Sequence, residues 1–161
     1  MRKFKKKQRI YEPDKKFKEP LVTRFVNHLM KHGKKKLAYS IFSNFIDELE
    51  KIYKKNNNKN KKGRTIWNKA LANVTPQIDI KSRRIGGTKR NIPIIIPKNL
   101  QLTKAIKLLI NSSKERKEKA MYKKLAVETL AAYQKEGRAI KKKENIHKLA
   151  ESNKAFSHIK F

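Results

Sequence analysis

Cysteine is absent from this 161-residue sequence, and long apolar runs are absent too. Without cysteine the chain can form no disulfide, no zinc knuckle and no thiol-based active site. No apolar run approaches the length of a transmembrane helix. The first ten residues, MRKFKKKQRI, lack the apolar core of a signal peptide and the serine-rich character of a transit peptide. We therefore interpret them as a mature basic arm.

Acidic residues are scarce and unevenly spread. The chain has 44 Lys and Arg against 13 Asp and Glu, a formal net charge of +31. Between Lys51 and Lys114 there are 17 basic residues and one acid, Asp79. A compact domain with this charge repels itself, so the composition predicts a strongly negative partner. Nucleic acid is the first candidate, and an anionic membrane surface is the second.

Arginine is the more informative of the two basic residue types. Lys, Asn and Ile are abundant together, as in NNNKNKK, which is typical of AT-rich coding sequence and accounts for part of the lysine excess. Only nine arginines occur, yet Arg83, Arg84 and Arg90 lie within eight residues. The planar guanidinium suits phosphates and base edges in a way that lysine does not. This cluster therefore indicates an anion-binding segment.

Hydrophobic periodicity predicts a mainly α fold with a six-helix body and one β-hairpin between helices three and four. A disordered basic arm is expected over residues 1–18, and a single helical domain over residues 19–161. The helical segments are EPLVTRFVNHLMKHG, LAYSIFSNFIDELEKIY, RTIWNKALANV, NLQLTKAIKLLINSSK, KERKEKAMYKKLAVETLAAYQKEG and RAIKKKENIHKLAESNKAF. The polar stretch from about Lys54 to Gly63 is predicted to be an exposed loop.

Two of these helices carry specific predictions. In helix two, residues spaced three and four apart predict one buried stripe, formed by Leu37, Ile41, Phe45, Leu49 and Ile52. In helix three, Thr65 is a possible N-cap, and Trp67 is expected in the core rather than as a platform for base stacking.

The hairpin is predicted at about residues 76–97, where the period changes to two. Ile78 and Ile80 alternate with polar residues, the Gly86–Gly87 pair allows a tight turn, and isoleucines recur at every second position on the return. We expect the isoleucines to anchor the ribbon and its tip to present cations. These cations are Lys81, Arg83, Arg84, Lys89 and Arg90. A two-stranded ribbon fits a nucleic-acid groove.

Catalytic patterns are weak. His28 and His32 have helical i, i+4 spacing, but no third metal ligand is evident and HExxH is absent. No pair of carboxylates stands out as an acid and a base, and no phosphate-loop motif is present. We predict no cofactor, no metal site and no catalytic residue. A cationic nuclease that uses His28 or His147 remains a minor alternative.

Three segments carry a family resemblance. KSRRIGG, preceded by NVTPQIDI, resembles the hairpin of the bacterial and organellar small-subunit ribosomal protein seven family. YEPDKKFKEPLVTRFVNHLMKHGKKKLAYSI resembles the family's arm, first helix and Gly-Lys-Lys junction, and GRAIKKKENIHKLAESNKAFSH resembles its last helix and tail. The order of elements agrees, and the resemblance covers nearly the whole chain. It implies the same six-helix body with a hairpin between the third and fourth helices.

The resemblance also implies a function. The family binds the 3′ major domain of small-subunit rRNA and starts assembly of the subunit head. Its hairpin lies near the exit-tRNA site and the mRNA path, beside other head proteins and protein eleven. With the basic arm and ribbon tip included, the predicted rRNA-binding residues are Lys3, Arg9, Lys34, Lys35, Lys81, Arg83, Arg84, Gly86, Gly87, Arg90, Lys114, Arg116, Met121, Lys141, Lys142 and His147.

The chain departs from the family pattern at several points. The loop from Lys54 to Gly63 is longer and more basic than the usual connection, and its partner is not identified. Lys89 and Arg90 occupy positions where the resemblance leads us to expect less charged residues. The chain ends in Phe161, where bacterial members often continue or end in Trp. A DNA-architectural, histone-like β-arm protein is the alternative function. We expect an organelle-encoded ribosomal protein of a mitochondrion or plastid, with the bacterial cytoplasm as the alternative.

Overall fold

The computed structural model describes residues 11–14, 16–57 and 61–158. The chain divides into two compact units, residues 1–40 and 41–161. The elements are α1 (Pro20–Leu29), α2 (Lys35–Asn57), α3 (Gly63–Val74), β1 (Ile78–Ile85), β2 (Thr88–Ile95), α4 (Lys98–Lys114), α5 (Met121–Tyr133), α6 (Arg138–Ser152) and a short 3-10 helix, η1 (Lys154–Phe156). The mainly α class and the hairpin between helices three and four are confirmed. Lys3 and Arg9 lie outside the described residues.

The first unit is organised around Asp14 and the short helix α1. Pro20 occupies the first turn of α1, where its missing N–H costs nothing. The Asp14 carboxylate accepts hydrogen bonds from the backbone N–H groups of Lys16 and Phe17, each at 3.0 Å, and from the Tyr39 hydroxyl at 3.0 Å. Partial burial, together with the Asp14 carboxylate, raises the pKa of Tyr39 above its usual 10.0. Asp14 therefore ties the segment before α1 to the first turns of α2.

Aromatic residues of α2 and α3 form the centre of the second unit. The Phe42 ring meets Trp67 edge-on, with centroids 5.2 Å apart, and packs against Phe45 at 5.8 Å. Trp67 has no exposed surface, which confirms its predicted place in the core. The predicted stripe of α2 was partly wrong. Phe45 and Leu49 are buried, but Leu37 is 58% exposed.

The stripe of α2 was misplaced because of helical geometry. Steps of four residues turn a helix by 400°, so a line of such steps drifts by about 40° each time. The buried face is completed instead by residues that the predicted stripe omitted, namely Phe42, Ile46 and Tyr53.

The start of α3 also differs from the prediction. Thr65 lies inside the helix, and the N-cap is Lys62, whose side chain makes no capping hydrogen bond. Gly63 begins the helix because its N–H donates to the Glu50 carboxylate at 2.8 Å. A Cβ at Gly63 would lie 2.8 Å from the Ile46 carbonyl oxygen, so only glycine fits this approach.

The end of α2 differs from the prediction as well. Helix α2 runs to Asn57, so the predicted loop begins later than Lys54.

The ribbon pairs in antiparallel register from Ile78 opposite Ile95 to Ile85 opposite Thr88. Gly86 (φ +55°) and Gly87 (φ +80°) form the two-residue turn, as type I′ hairpins require. Strands β1 and β2 pack against α6, and β2 also contacts η1. Ile92 and Ile96 are buried, so isoleucines anchor the ribbon as predicted. In the same unit α3 packs on α4 and α5, and α4 packs on α5 and α6.

Candidate nucleic-acid interface

The ribbon tip concentrates basic side chains across from one another. Arg83 pairs in register with Arg90, and Arg84 pairs with Lys89. All four residues are exposed. Like charges directly opposite each other destabilise an antiparallel pair, so this arrangement disfavours the isolated hairpin. Phosphates at the tip would offset this repulsion, because each cation would then face a negative charge.

Other contacts join the ribbon to η1 and α4. The Arg90 guanidinium lies over the Phe156 ring of η1, 5.4 Å from the centroid. Stacking of this kind orients a guanidinium while its N–H groups stay able to donate. Lys104 of α4 donates to Asp79, which is the only acid in the ribbon. The single negative charge of the ribbon is therefore neutralised by an internal partner at the base, away from the tip.

A second group of predicted residues lies where α4, α5 and α6 approach each other. A cleft there is lined by Arg116, Lys117, Glu118, Gly137, Arg138 and Lys141. Of the predicted residues nearby, Lys114 and Lys141 are exposed, and Met121 is half-buried at the start of α5. The structure thus brings Arg116 and Lys141 into one cationic cleft.

Internal acids engage part of this group. The Nε of Arg116 donates to the fully buried Glu128 carboxylate at 2.6 Å, and Glu128 also accepts from the Ala139 N–H at 2.7 Å. Lys142 donates to Glu115, and this hydrogen bond lowers the pKa of Glu115 below its usual 4.5. Arg116 and Lys142 therefore each have an internal acidic partner.

His147 lies apart from both cationic groups. It lines an apolar groove of about 500 Å³ together with Ile78, Pro93, Ile94 and Ile95. Its Nε2 is buried and has no hydrogen-bond partner among the described residues. Its place in the fold is therefore at the packing between α6 and the base of the ribbon. Lys34 and Lys35 are exposed in the first unit, where α2 begins.

Sequence reasoning missed Lys117 and Arg138 as members of the cleft. Arg138 lies one helical turn before Lys141 on α6, and residues three apart share a face. That spacing was the available signal. Within the residues described, no group of three His, Cys, Asp or Glu is placed to hold a metal ion. In the same part of the chain, no helix is long and apolar enough to cross a membrane.

The fold and the charge define a basic helical protein with a cationic two-stranded ribbon. The chain matches the family model of ribosomal protein S7p/S5e over residues 1–154. It is 57% identical to the small ribosomal subunit protein uS7 of Karelsulcia muelleri (strain GWSS) over 161 residues, with both chains fully covered. It is 46% identical to uS7 of Christiangramia forsetii over 161 residues, again with full coverage of both. It is 44% identical to uS7 of Amoebophilus asiaticus over 160 residues, which is 99% of each chain.

The chain therefore belongs to the ribosomal protein S7p/S5e family, which confirms the resemblance found in the sequence. Proteins of this family are structural and not catalytic, so the chain is not an enzyme. The nuclease alternative is thereby removed.

Proposed function

We propose that this chain is a structural constituent of the small ribosomal subunit, that it binds the 3′ major domain of the rRNA, and that it nucleates assembly of the head. Family membership and the names of its relatives support the ribosomal part of the proposal. The observation that carries the RNA-binding part is the ribbon tip. Two cationic cross-strand pairs surround a Gly-Gly turn there, and the tip contains no acid.

The proposed mechanism is neutralisation and clamping of RNA. Basic side chains release counterions from phosphates and so supply affinity, while the fixed spacing of the ribbon and the cleft selects the shape of a multi-helix junction. The proposed contact residues are the set predicted from the sequence, from Lys3 to His147. In this arrangement the ribbon lies near exit-site tRNA and mRNA, and the neighbours are other head proteins and protein eleven.

The proposed location is the ribosome. The relatives named above are bacterial proteins, which supports the bacterial cytoplasm, the alternative expected from the sequence, over a mitochondrion or plastid.

The test compares binding to a 3′ major-domain junction RNA with binding to duplex DNA of equal length, at several salt concentrations. We expect tight, salt-dependent, junction-selective binding by the wild-type chain. The Arg83→Ala, Arg84→Ala double variant should lower the slope of log K against log salt by about 1.4–1.8, because each lost phosphate contact contributes about 0.7–0.9. A matched control, Lys107→Ala with Lys123→Ala, removes the same charge from exposed positions on α4 and α5.

Two results would contradict the proposal. Equal affinity for both nucleic acids, with bending of the DNA and a dimeric protein, would favour the DNA-architectural alternative. Equal salt slopes for the ribbon variant and the control would mean that Arg83 and Arg84 make no specific phosphate contacts. The ribbon would then contribute to binding only through its share of the net charge.

A further inference from the structure

A group of basic and aromatic side chains outside the predicted interface meets at the C-terminal end of α5. The Lys61 ammonium donates to the Tyr133 hydroxyl at 3.2 Å and lies 5.9 Å from the centroid of that ring. The Lys69 ammonium lies 5.2 Å from the same centroid. We call Lys61, Lys69 and Tyr133 the lysine–tyrosine cluster. Two cations that are eight residues apart in the sequence thus converge on one phenol.

The rest of the second unit holds Tyr133 and Lys69 in place. The buried Tyr53 ring meets Tyr133 edge to face, with centroids 5.9 Å apart and an interplanar angle of 86°. The Asn73 amide donates to the carbonyl oxygens of Ala132 at 3.0 Å and Tyr133 at 3.2 Å. Lys69 and Asn73 are one turn apart on α3, so they share a face. The end of α5 is therefore joined to the face of α3 that carries Lys69.

Lys61 is positioned by the start of α3. The hydrogen bond from the Gly63 N–H to Glu50, and the tight approach of Gly63 to Ile46, hold this point of the backbone against α2. Lys61 is only two residues earlier in the chain. The contacts of Gly63 with α2 therefore help to hold Lys61 beside Tyr133.

Within the part of the chain that the structure describes, the positive charge of the cluster has no acidic partner. All 13 acids of the chain lie among the described residues, and neither Lys61 nor Lys69 forms an ion pair there. Their distances to the Tyr133 centroid keep the two ammonium groups within about 11 Å of each other. The hydrogen bond from Lys61, with the nearby charge of Lys69, lowers the pKa of Tyr133 below its usual 10.0.

The donor chemistry of the cluster matches a phosphate. Ammonium groups donate only, and a phenol donates one hydrogen, so all three side chains can donate to phosphate oxygens. A polyanion fits better than a free ion, because Lys62 is also exposed beside Lys61 and the sequence from Lys51 to Lys114 holds 17 basic residues and one acid. That acid, Asp79, is already paired with Lys104.

We propose that the lysine–tyrosine cluster is a phosphate-binding site for the RNA backbone, additional to the ribbon and the cleft. It gives Lys61, at the end of the connection between α2 and α3, a contact with rRNA, and it rests on the RNA-binding function proposed above. The cluster contains no residue of the ribbon, of the cleft or of the predicted interface. Binding at a second, separate point on one RNA raises affinity by making the second contact intramolecular.

The first test uses the same junction RNA and the same salt series. Lys61→Ala with Lys69→Ala should lower the salt slope by about 1.4–1.8, and the Lys107, Lys123 control should lower it by less than half as much. Tyr133→Phe keeps the ring and removes only the hydroxyl, so affinity at fixed salt should fall by about twofold to tenfold. A slope for the cluster variant equal to that of the control overturns the proposal.

Footprinting separates this site from the ribbon. Hydroxyl-radical protection of the RNA should be lost at one set of nucleotides in the Lys61, Lys69 variant and at a different set in the Arg83, Arg84 variant. If the wild-type chain shows no preference for the junction RNA, the proposed function fails. If the ribbon variant loses protection and the cluster variant retains all of it, only the additional site is refuted.

An absorbance titration checks the geometry without RNA. Lys61→Ala should raise the pKa of Tyr133 toward 10.0, because the donated hydrogen bond that stabilises the phenolate is lost. Tyr133→Phe identifies which part of the titration belongs to this residue. An unchanged Tyr133 pKa in the Lys61 variant would mean that the cluster does not form in solution, and it would overturn the proposal.

Discussion

Replacing Glu128 is predicted to destabilise the fold because two groups donate hydrogen bonds to its buried carboxylate. One carboxylate oxygen accepts from the Nε of Arg116 at 2.6 Å, and the other accepts from the Ala139 N–H at 2.7 Å. Glu128 has no exposed surface. Glu128→Ala therefore leaves a guanidinium and the backbone of the first turn of α6 without their acceptor.

The magnitude follows from burial. Removing one partner of a buried ion pair costs about 3–5 kcal/mol. The Arg116 side chain is 21% exposed, so water can partly replace the lost acceptor, and we expect about 3 kcal/mol. For a chain of this length, that corresponds to a fall in melting temperature of roughly 6–12 °C. Glu128→Gln keeps one oxygen for Ala139 and should cost about half as much.

The assay is urea unfolding followed by far-ultraviolet circular dichroism at neutral pH. Glu144→Ala is the matched control, because Glu144 is exposed on α6 and its loss changes the net charge by the same amount. The control should stay within about 0.5 kcal/mol of the wild-type chain. A Glu128→Ala protein that unfolds within about 1 kcal/mol of the control would refute the view that Glu128 supports the junction of α5 and α6.

Two further perturbations test local packing and local charge. Gly63→Ala places a Cβ 2.8 Å from the Ile46 carbonyl oxygen. We therefore expect the free energy of unfolding, measured in urea, to fall by about 1–3 kcal/mol. An unchanged unfolding midpoint would contradict the close approach of Gly63 to Ile46. Lys142→Ala should raise the pKa of Glu115 toward 4.5, measured by carboxyl NMR, because the hydrogen bond that lowers it is removed. In the wild-type chain the stabilisation from this pair is complete above about pH 4.5 and is lost as pH falls through the lowered pKa. Identical Glu115 titrations in both proteins would rule out the pair.

Local patterns made the order of elements predictable. The change from a helical period to a period of two marks the strands, and Gly86–Gly87 marks the turn because its backbone needs positive φ angles. Element ends were less predictable. The end of α2 at Asn57 includes Lys54 and Lys55, which polar composition had assigned to a loop, although basic residues in a last turn interact favourably with the helix dipole.

The sequence by itself determined the charge asymmetry, the helical body and the position of the ribbon, because these depend on composition and on spacing over a few residues. Only the tertiary structure decided which cations have partners. Three hydrogen-bonded pairs join residues that are distant in the sequence. Arg116 and Glu128 are 12 residues apart, Lys142 and Glu115 are 27 apart, and Lys61 and Tyr133 are 72 apart. Such pairs depend on how α3, α4, α5 and α6 pack together, and side-chain periodicity within one helix carries no information about which distant residue its exposed groups will meet.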